Sequence, residues 1–273
     1  MNKILFVILV ISTIIVVQVA TVTSSEDWSL KVIYPQQNSM VNTPYLYIRL
    51  NARDFRFDIR YAGTQNFPDV GHYDKIIDGR LIEMSGRQND AISMVGITPG
   101  LHLLTLVPAR NNNTELTESA VDIPFTYTGA FLPQPGPFYF DNPPSLAITS
   151  PANGTTVEGA FYMQVDIQNF VLSGESFGKE LVDGVGHWQI YVDLHHSMMN
   201  CTCEHGDPAH MEHMMMMLTH LKAEASTYSQ QVYLKGLEPN MYHNFTAILV
   251  DNQHMHVMPM VMDTVSLYVS SID

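Results

Sequence analysis

The chain repeats itself once, and that repeat limits the fold more than any other feature. The first copy opens SLKVIYPQQNSMV at Ser29 and the second opens SLAITSPANGTTV at Ser145. In each, a leucine stands five positions before a proline: Leu30 before Pro35, Leu146 before Pro151. Pro35 to His72 spans 37 positions and Pro151 to His187 spans 36. VGHYDKIID (70–78) then answers VGHWQIYVD (185–193), and GITPG (96–100) answers GLEPN (236–240). Spacing held this closely through both copies marks a tandem duplication.

Within each copy, short segments alternate apolar and polar residues between Pro, Gly and Asn turns. YLYIRL, FYMQVDI, WQIYVDL, HLLTLV and TVSLYV are examples, rich in Val, Ile, Tyr and Thr. Alternation of this kind makes half-buried strands. The expectation is an all-β chain of tandem Ig-like or cupredoxin-like β-sandwiches, without the Cys…Trp…Cys signature of antibody domains. The first sandwich is expected over 29–128 and the second over 145–273, joined by the proline-stiffened linker GAFLPQPGPFYFDNPP (129–144).

Upstream of the repeat, Lys3 precedes an apolar run from Ile4 to Ala20. That pattern reads first as a cleaved secretory signal within residues 1–25, and second as a retained N-terminal membrane anchor. Both place the body outside the cytoplasm: secreted, periplasmic or pseudoperiplasmic, or on the cell surface. Export makes the sequons at Asn112, Asn153, Asn200 and Asn244 candidate glycan sites. The net charge of −14 excludes a nucleic-acid partner and suits collection of cations.

The copies differ in one place. Asp78 to Gly96 spans 18 residues, but Asp193 to Gly236 spans 43. The second copy therefore carries an insertion, placed at 195–225, with 194–226 unmatched by the first copy. Its segment HHSMMNCTCEHGDPAHMEHMMMMLTHL (195–221) holds six of the 12 histidines, seven of the 17 methionines and both cysteines. A sandwich that folds without this segment in one copy does not need it for its core. Asp207 and Pro208 predict a helix start, and the absence of Gly or Pro from His210 to about Ala225 predicts its continuation. His210, His213, Met214, Met217 and His220 would share one face of that helix. His195, His196, Cys201, Cys203 and His205 would stand in the loop before it. A second cluster, DNQHMHVMPMVMD (251–263), would place His254, His256 and Met258 on one side of a strand. His187 reads first as a structural histidine, because His72 repeats it in the copy that lacks the other ligands, and second as a ligand. Trp188 then faces the core.

Thioether, thiolate and imidazole together select copper, Cu(I) above all. Zinc or nickel ranks lower, since Cys201 and Cys203 are too close for the usual C-x₂-C spacing. The scarcity of carboxylates disfavours calcium and magnesium. No nucleophile–base triad, paired carboxylates or phosphate loop is visible, so an enzyme is not expected.

VGHWQIYVD and the later AILVDNQHMHVMP together resemble a family of exported Ig-like or cupredoxin-like domains of archaea and bacteria. In that family a Gly-His-aromatic strand pairs with a late Asn/His-rich strand. The resemblance implies a β-sandwich and export, but no activity. His256-x-Met258 is also similar to the closing H-x-M of periplasmic copper chaperones. The function expected is that of an exported copper-binding protein that binds, stores or hands on Cu(I), with a copper-dependent membrane or surface protein as the expected partner. The alternatives are a structural or adhesive surface protein without a physiological metal, or an accessory subunit of a copper enzyme.

Overall fold

A computed structural model describes residues 29–195 and 208–273, with the backbone alone for 208–212. The segment 1–25, His196, Asn200, Cys201, Cys203 and His205 lie outside the described residues, as does the side chain of His210. Among the described residues no helix is long and apolar enough to cross a membrane.

Both halves are Ig-like β-sandwiches, and they share one strand plan. The first half comprises β1 (Ser29–Tyr34), β2 (Ser39–Val41), β3 (Tyr45–Arg53), β4 (Arg56–Phe57), β5 (Val70–Ile77), β6 (Arg80–Ser85), β7 (Asn89–Ser93), β8 (Gly100–Arg110) and β9 (Val121–Tyr127). The second comprises β10 (Ser145–Ser150), β11 (Thr156–Glu158), β12 (Ala160–Gln168), β13 (Val171–Leu172), β14 (Val185–Val192), β15 (Leu221–Ala225), β16 (Ser229–Tyr233), β17 (Met241–Asp251) and β18 (Met262–Ser271). Sheet β1-β3-β7 corresponds to β10-β12-β16. The six-stranded sheet β2-β9-β8-β5-β4, with β6 beside β5, corresponds to β11-β18-β17-β14-β13, with β15 beside β14. Each sandwich has its own core, centred on Tyr73 and Phe125 in the first and on Trp188 and Phe245 in the second. Trp188 is fully buried, as its alternation with His187 predicts.

A polar device repeats with the strands. Asp78 and Asp193 sit in left-handed backbone, at φ 51° and 52°. Each carboxylate accepts from a histidine on the neighbouring strand: His102 Nδ1 at 2.7 Å and His243 Nδ1 at 2.6 Å. The far ring nitrogens point to the carbonyls of Thr98 and Glu238, both at 2.8 Å. These two histidines are consumed by turn structure.

The helix α1 (Pro208–Leu218) starts at the expected proline but stops well short of Ala225. Leu221–Ala225 is strand β15, the counterpart of β6, so the unmatched segment ends before Leu221. The alternation in LKAEA wins over helix propensity because β14 offers it a ladder, with Trp188 opposite Ala225 and Gln189 opposite Glu224. The insertion thus replaces the tight Asp78–Gly79 turn of the first copy. Residues 254–258 also depart from expectation. The chain turns after Asp251, His254 lies at φ 64°, and only an isolated bridge from His256 to Val250 is paired.

Strands β5 and β14 are buried on both faces, and every residue of β14 is buried. Their outer faces meet each other, because the two six-stranded sheets pack sandwich against sandwich. The contacts come in reciprocal pairs. Asn113 Nδ2 donates to Leu221 O at 3.1 Å, while His254 Nε2, at the matching left-handed position, reaches Leu81 O and Ile82 O at 3.2 Å each. A Cβ on Gly63 would lie 2.7 Å from Leu221 O of the second sandwich, and one on Gly178 2.1 Å from Leu81 O of the first. Such reciprocity is the mark of a two-fold interface, here within one chain.

Gly178 tests that interface. Its φ is +66°, and a Cβ there would lie 2.1 Å from the Leu81 carbonyl oxygen of the first sandwich. Gly79 is also left-handed but has open space around it. Gly79→Ala should cost about 1–2 kcal/mol, the left-handed penalty alone. Gly178→Ala should exceed that by about 1–3 kcal/mol as the overlap forces the sheets apart. Urea unfolding of the two variants measures the difference.

Candidate metal centre

At this interface three groups from separate segments converge. β14 carries His187 on its outer face, β15 carries Glu224 beside it, and the turn after β17 swings His254 back over both. His187 Nε2 lies 3.1 Å from His254 Nδ1. Glu224 Oε1 lies 2.9 Å from His254 Nδ1 and 3.8 Å from His187 Nε2. Donor atoms bound to one tetrahedral ion at about 2.0–2.1 Å stand about 3.3 Å apart, so this triangle fits one face of such a site. Among the described residues no other group of three or more His, Cys, Asp or Glu gathers its ligand atoms within 4.8 Å of one another.

The surroundings orient the three groups. His254 Nε2–H donates to the Leu81 and Ile82 carbonyls, which leaves Nδ1 aimed at the centre. A ligating imidazole whose other nitrogen is fixed by a carbonyl is the usual outer-shell arrangement of metal sites. Gln189 Nε2 donates to Glu224 Oε1 at 3.1 Å, and Tyr191 Oη donates to Gln189 Oε1 at 2.5 Å. The Met84 N–H lies 3.5 Å from Glu224 Oε2. Phe177 stacks on His187, with centroids 4.0 Å apart. The first sandwich therefore supplies no member of the triangle, but it holds two of them in place.

Glu224 also lines a cleft of about 690 Å³ between the sandwiches. The cleft's other charges are largely matched: Arg60 is bidentate to Asp58 at 2.7 and 2.6 Å, and buried Lys75 reaches both Glu83 and Asp90. The ion-pair partners of Glu224 are the two imidazoles. Arg56, Arg87 and Lys222 line the same cleft.

Burial pushes the Glu224 carboxyl up, but charged His254 and hydrogen bonds from His187 and His254 hold it well below the usual range. Burial lowers His254, yet the Glu224 charge beside it and the hydrogen bonds it makes raise it overall. His187 is pushed down to about 4 by burial and by the charge on His254, against the pull of Glu224. His72, its counterpart in the first copy, is also pushed down to about 4 by burial. Both nitrogens of His72 lack a hydrogen-bond partner among the described residues. One carboxylate supports one imidazolium, that of His254, while His187 and His72 are held toward the neutral form.

The other expected ligands are placed differently. His213, Met214 and Met217 are buried, and Met217 packs beneath α1 against Tyr191, Leu194, Leu221 and Ile248. His220 Nδ1 donates to Val192 O at 2.9 Å and so closes the helix end onto β14. His195 is exposed. His256 is buried, with its ring 6.5 Å from that of Tyr191, and Met258 is 37% exposed. His254, His256 and Met258 therefore do not form the expected one-sided strand, because the chain turns through left-handed backbone at His254 and only His256 is bridged, to Val250. Sequence reasoning missed Glu224 altogether and ranked His187 as structural. The available signal was the repeat register: Glu224 stands where the first copy has Met84. Of the sequons, Asn153 and Asn244 are exposed and Asn112 is half-buried.

These shifts set opposite pH dependences in the metal-free protein. His254 is raised, so its stabilising contribution is full below pH 6.5 and lost as pH rises through its folded pKa. His187 and His72 are depressed, so their contribution is full above pH 6.5 and lost as pH falls toward 4. Imidazole NMR should find His254 still protonated above pH 6.5, with His187 and His72 neutral down to about 4.

No family model and no curated protein matches this chain. Solved structures similar to it include the fibronectin(III)-like modules of CbhA from Clostridium thermocellum, at 9% identity over 89% of this chain and 95% of that one, with a TM-score of 0.26. Dpr2 Ig1–Ig2, solved in complex with DIP-Theta Ig1–Ig3, is 9% identical over 89% and 99%, with a TM-score of 0.23. Mouse cadherin-23 EC22–24 is 13% identical over 91% and 66%, also with a TM-score of 0.23.

Proposed function

We propose that the chain is an exported copper-binding protein, with one ion held between its two sandwiches by His187, His254 and Glu224. The observation that carries this reading is the convergence of two imidazole nitrogens and one carboxylate oxygen on a buried point, with the Nε2–H of His254 already committed to backbone carbonyls. Two nitrogens and one oxygen suit a divalent ion, and copper heads the affinity order of the first-row divalent metals for such donors. The helix α1 of the insertion packs on the same sheet through Met217, and the insertion's sequence is rich in the softer donors that suit Cu(I). The two environments together support uptake, storage or transfer of copper rather than catalysis. Export follows from the N-terminal apolar run and agrees with the acidic composition.

A second reading is favoured by one observation. Without an ion, His254 and Glu224 already form a buried charge pair at 2.9 Å. A structural or adhesive pair of sandwiches that needs no metal would keep that pair as an interdomain fastening.

Copper titration of the whole chain separates the two readings. The first expects one tightly held Cu(II) whose affinity falls at least tenfold to a hundredfold in Glu224→Gln, His187→Gln or His254→Gln. Equal affinity in wild type and all three variants would leave the adhesive reading in its place. Removing 196–218 should leave this ion bound, since none of its three ligands lies in that segment. The deletion must spare Leu221 and Lys222, which are buried in β15.

A further inference from the structure

On the second sandwich's six-stranded sheet, against the insertion helix, lies a small core separate from the two sandwich interiors. Its fully covered members are Tyr191, Leu194, Met217, Leu221 and Ile248, and against them pack Met84, Leu218, Met260 and Met262. Four of these nine residues are methionines, and they come from three separate parts of the chain. Met84 belongs to β6 of the first sandwich, Met217 to α1, and Met260 and Met262 to the turn and start of β18. We propose that Met84, Met217, Met260 and Met262 form a soft metal site that takes Cu(I), walled by Tyr191 and covered by the insertion helix. This deepens the copper reading by giving the insertion a definite partner surface.

Three observations favour this over packing alone. Methionine fills irregular cores well, but leucine would seal this one equally. The corresponding surface of the first copy carries no such gathering: Ile76 pairs with Leu81 where Tyr191 pairs with Leu221, and Ala120 takes the place of Met262. His213 stands four residues before Met217, hence on the same helical face. It is 9% exposed, and its Nε2 has no hydrogen-bond partner among the described residues. A buried imidazole nitrogen without a partner costs about 1–3 kcal/mol, which coordination would offset. Thioethers and a neutral imidazole in a water-poor pocket are the donors that favour Cu(I) over divalent ions.

The probe is Ag(I), a redox-inert substitute for Cu(I), titrated into the full chain with its methionine methyls labelled with carbon-13. The signals of Met84, Met217, Met260 and Met262, assigned from single Met→Leu variants, should shift together at one equivalent. The exposed Met215 and Met216 should move later or not at all. The double variant Met217→Leu/Met260→Leu should keep its thermal transition within a few degrees and lose at least tenfold in Ag(I) affinity. It should also keep Cu(II) binding at the His187–Glu224–His254 centre unchanged. Unchanged Ag(I) affinity in the double variant, or shifts confined to Met215 and Met216, would overturn the soft site whatever happens at the other centre. Loss of Cu(II) binding alone in Glu224→Gln concerns only the interface ion, so the two readings fail separately.

Discussion

Everything distinctive about this molecule depends on burying the outer faces of β5 and β14 against each other. An antiparallel sheet normally leaves one face to water, and a strand buried on both faces must be apolar throughout or must satisfy its polar groups. Here the hidden faces carry His72 and Asp74 in one copy and His187 and Gln189 in the other. Asp74 is pushed well above the usual carboxylate range by burial and by the nearby Glu115 and Glu224, and the charge pair of this layer is the one between His254 and Glu224. Close backbone approach at Gly63 and Gly178 completes the fit.

Duplication explains why the candidate metal centre is one-sided. The two-fold relation gives every position a counterpart, and the register of the ladders names it. Where the second copy has Glu224, the first has Met84; where it has His254, the first has Asn113 at a similar left-handed angle. Both Asn113 and His254 use one side-chain nitrogen to bind carbonyls of the opposite sandwich. Only histidine has a second nitrogen left to face the centre. Two side-chain differences on one shared backbone thus turn an ordinary interdomain contact into a convergent set of donors. The insertion enters at the neighbouring β14–β15 turn, which places its helix on the same sheet.

Much of the fold was legible because it rests on short-range pattern. Period-2 alternation marked the strands, and the spacing from Leu30 and Leu146 to His72 and His187 marked the duplication. The helix start at Pro208 was legible for the same reason, since a fixed φ at the first turn is a local property. What was not legible came from contacts distant in sequence. Leu221–Ala225 read as helix because nothing local announces that β14 will pair with it. His254, His256 and Met258 read as one face of a strand because alternation cannot reveal a left-handed turn at His254. Glu224 carried no signal of its own, since a single glutamate in an alternating segment is usually a solvated side chain. The histidines and methionines of the insertion attracted attention by density. Density finds soft donors well but does not find a centre whose members come from 187, 224 and 254.

Above all, we propose that the two sandwiches enclose a copper ion at their shared face. Anomalous diffraction at the copper edge, from crystals of protein purified from its own host, tests it most directly. The predicted result is a peak bounded by His187 Nε2, His254 Nδ1 and Glu224 Oε1. An ordered interface with His254 Nδ1 bonded to Glu224 and no anomalous density between them would contradict it.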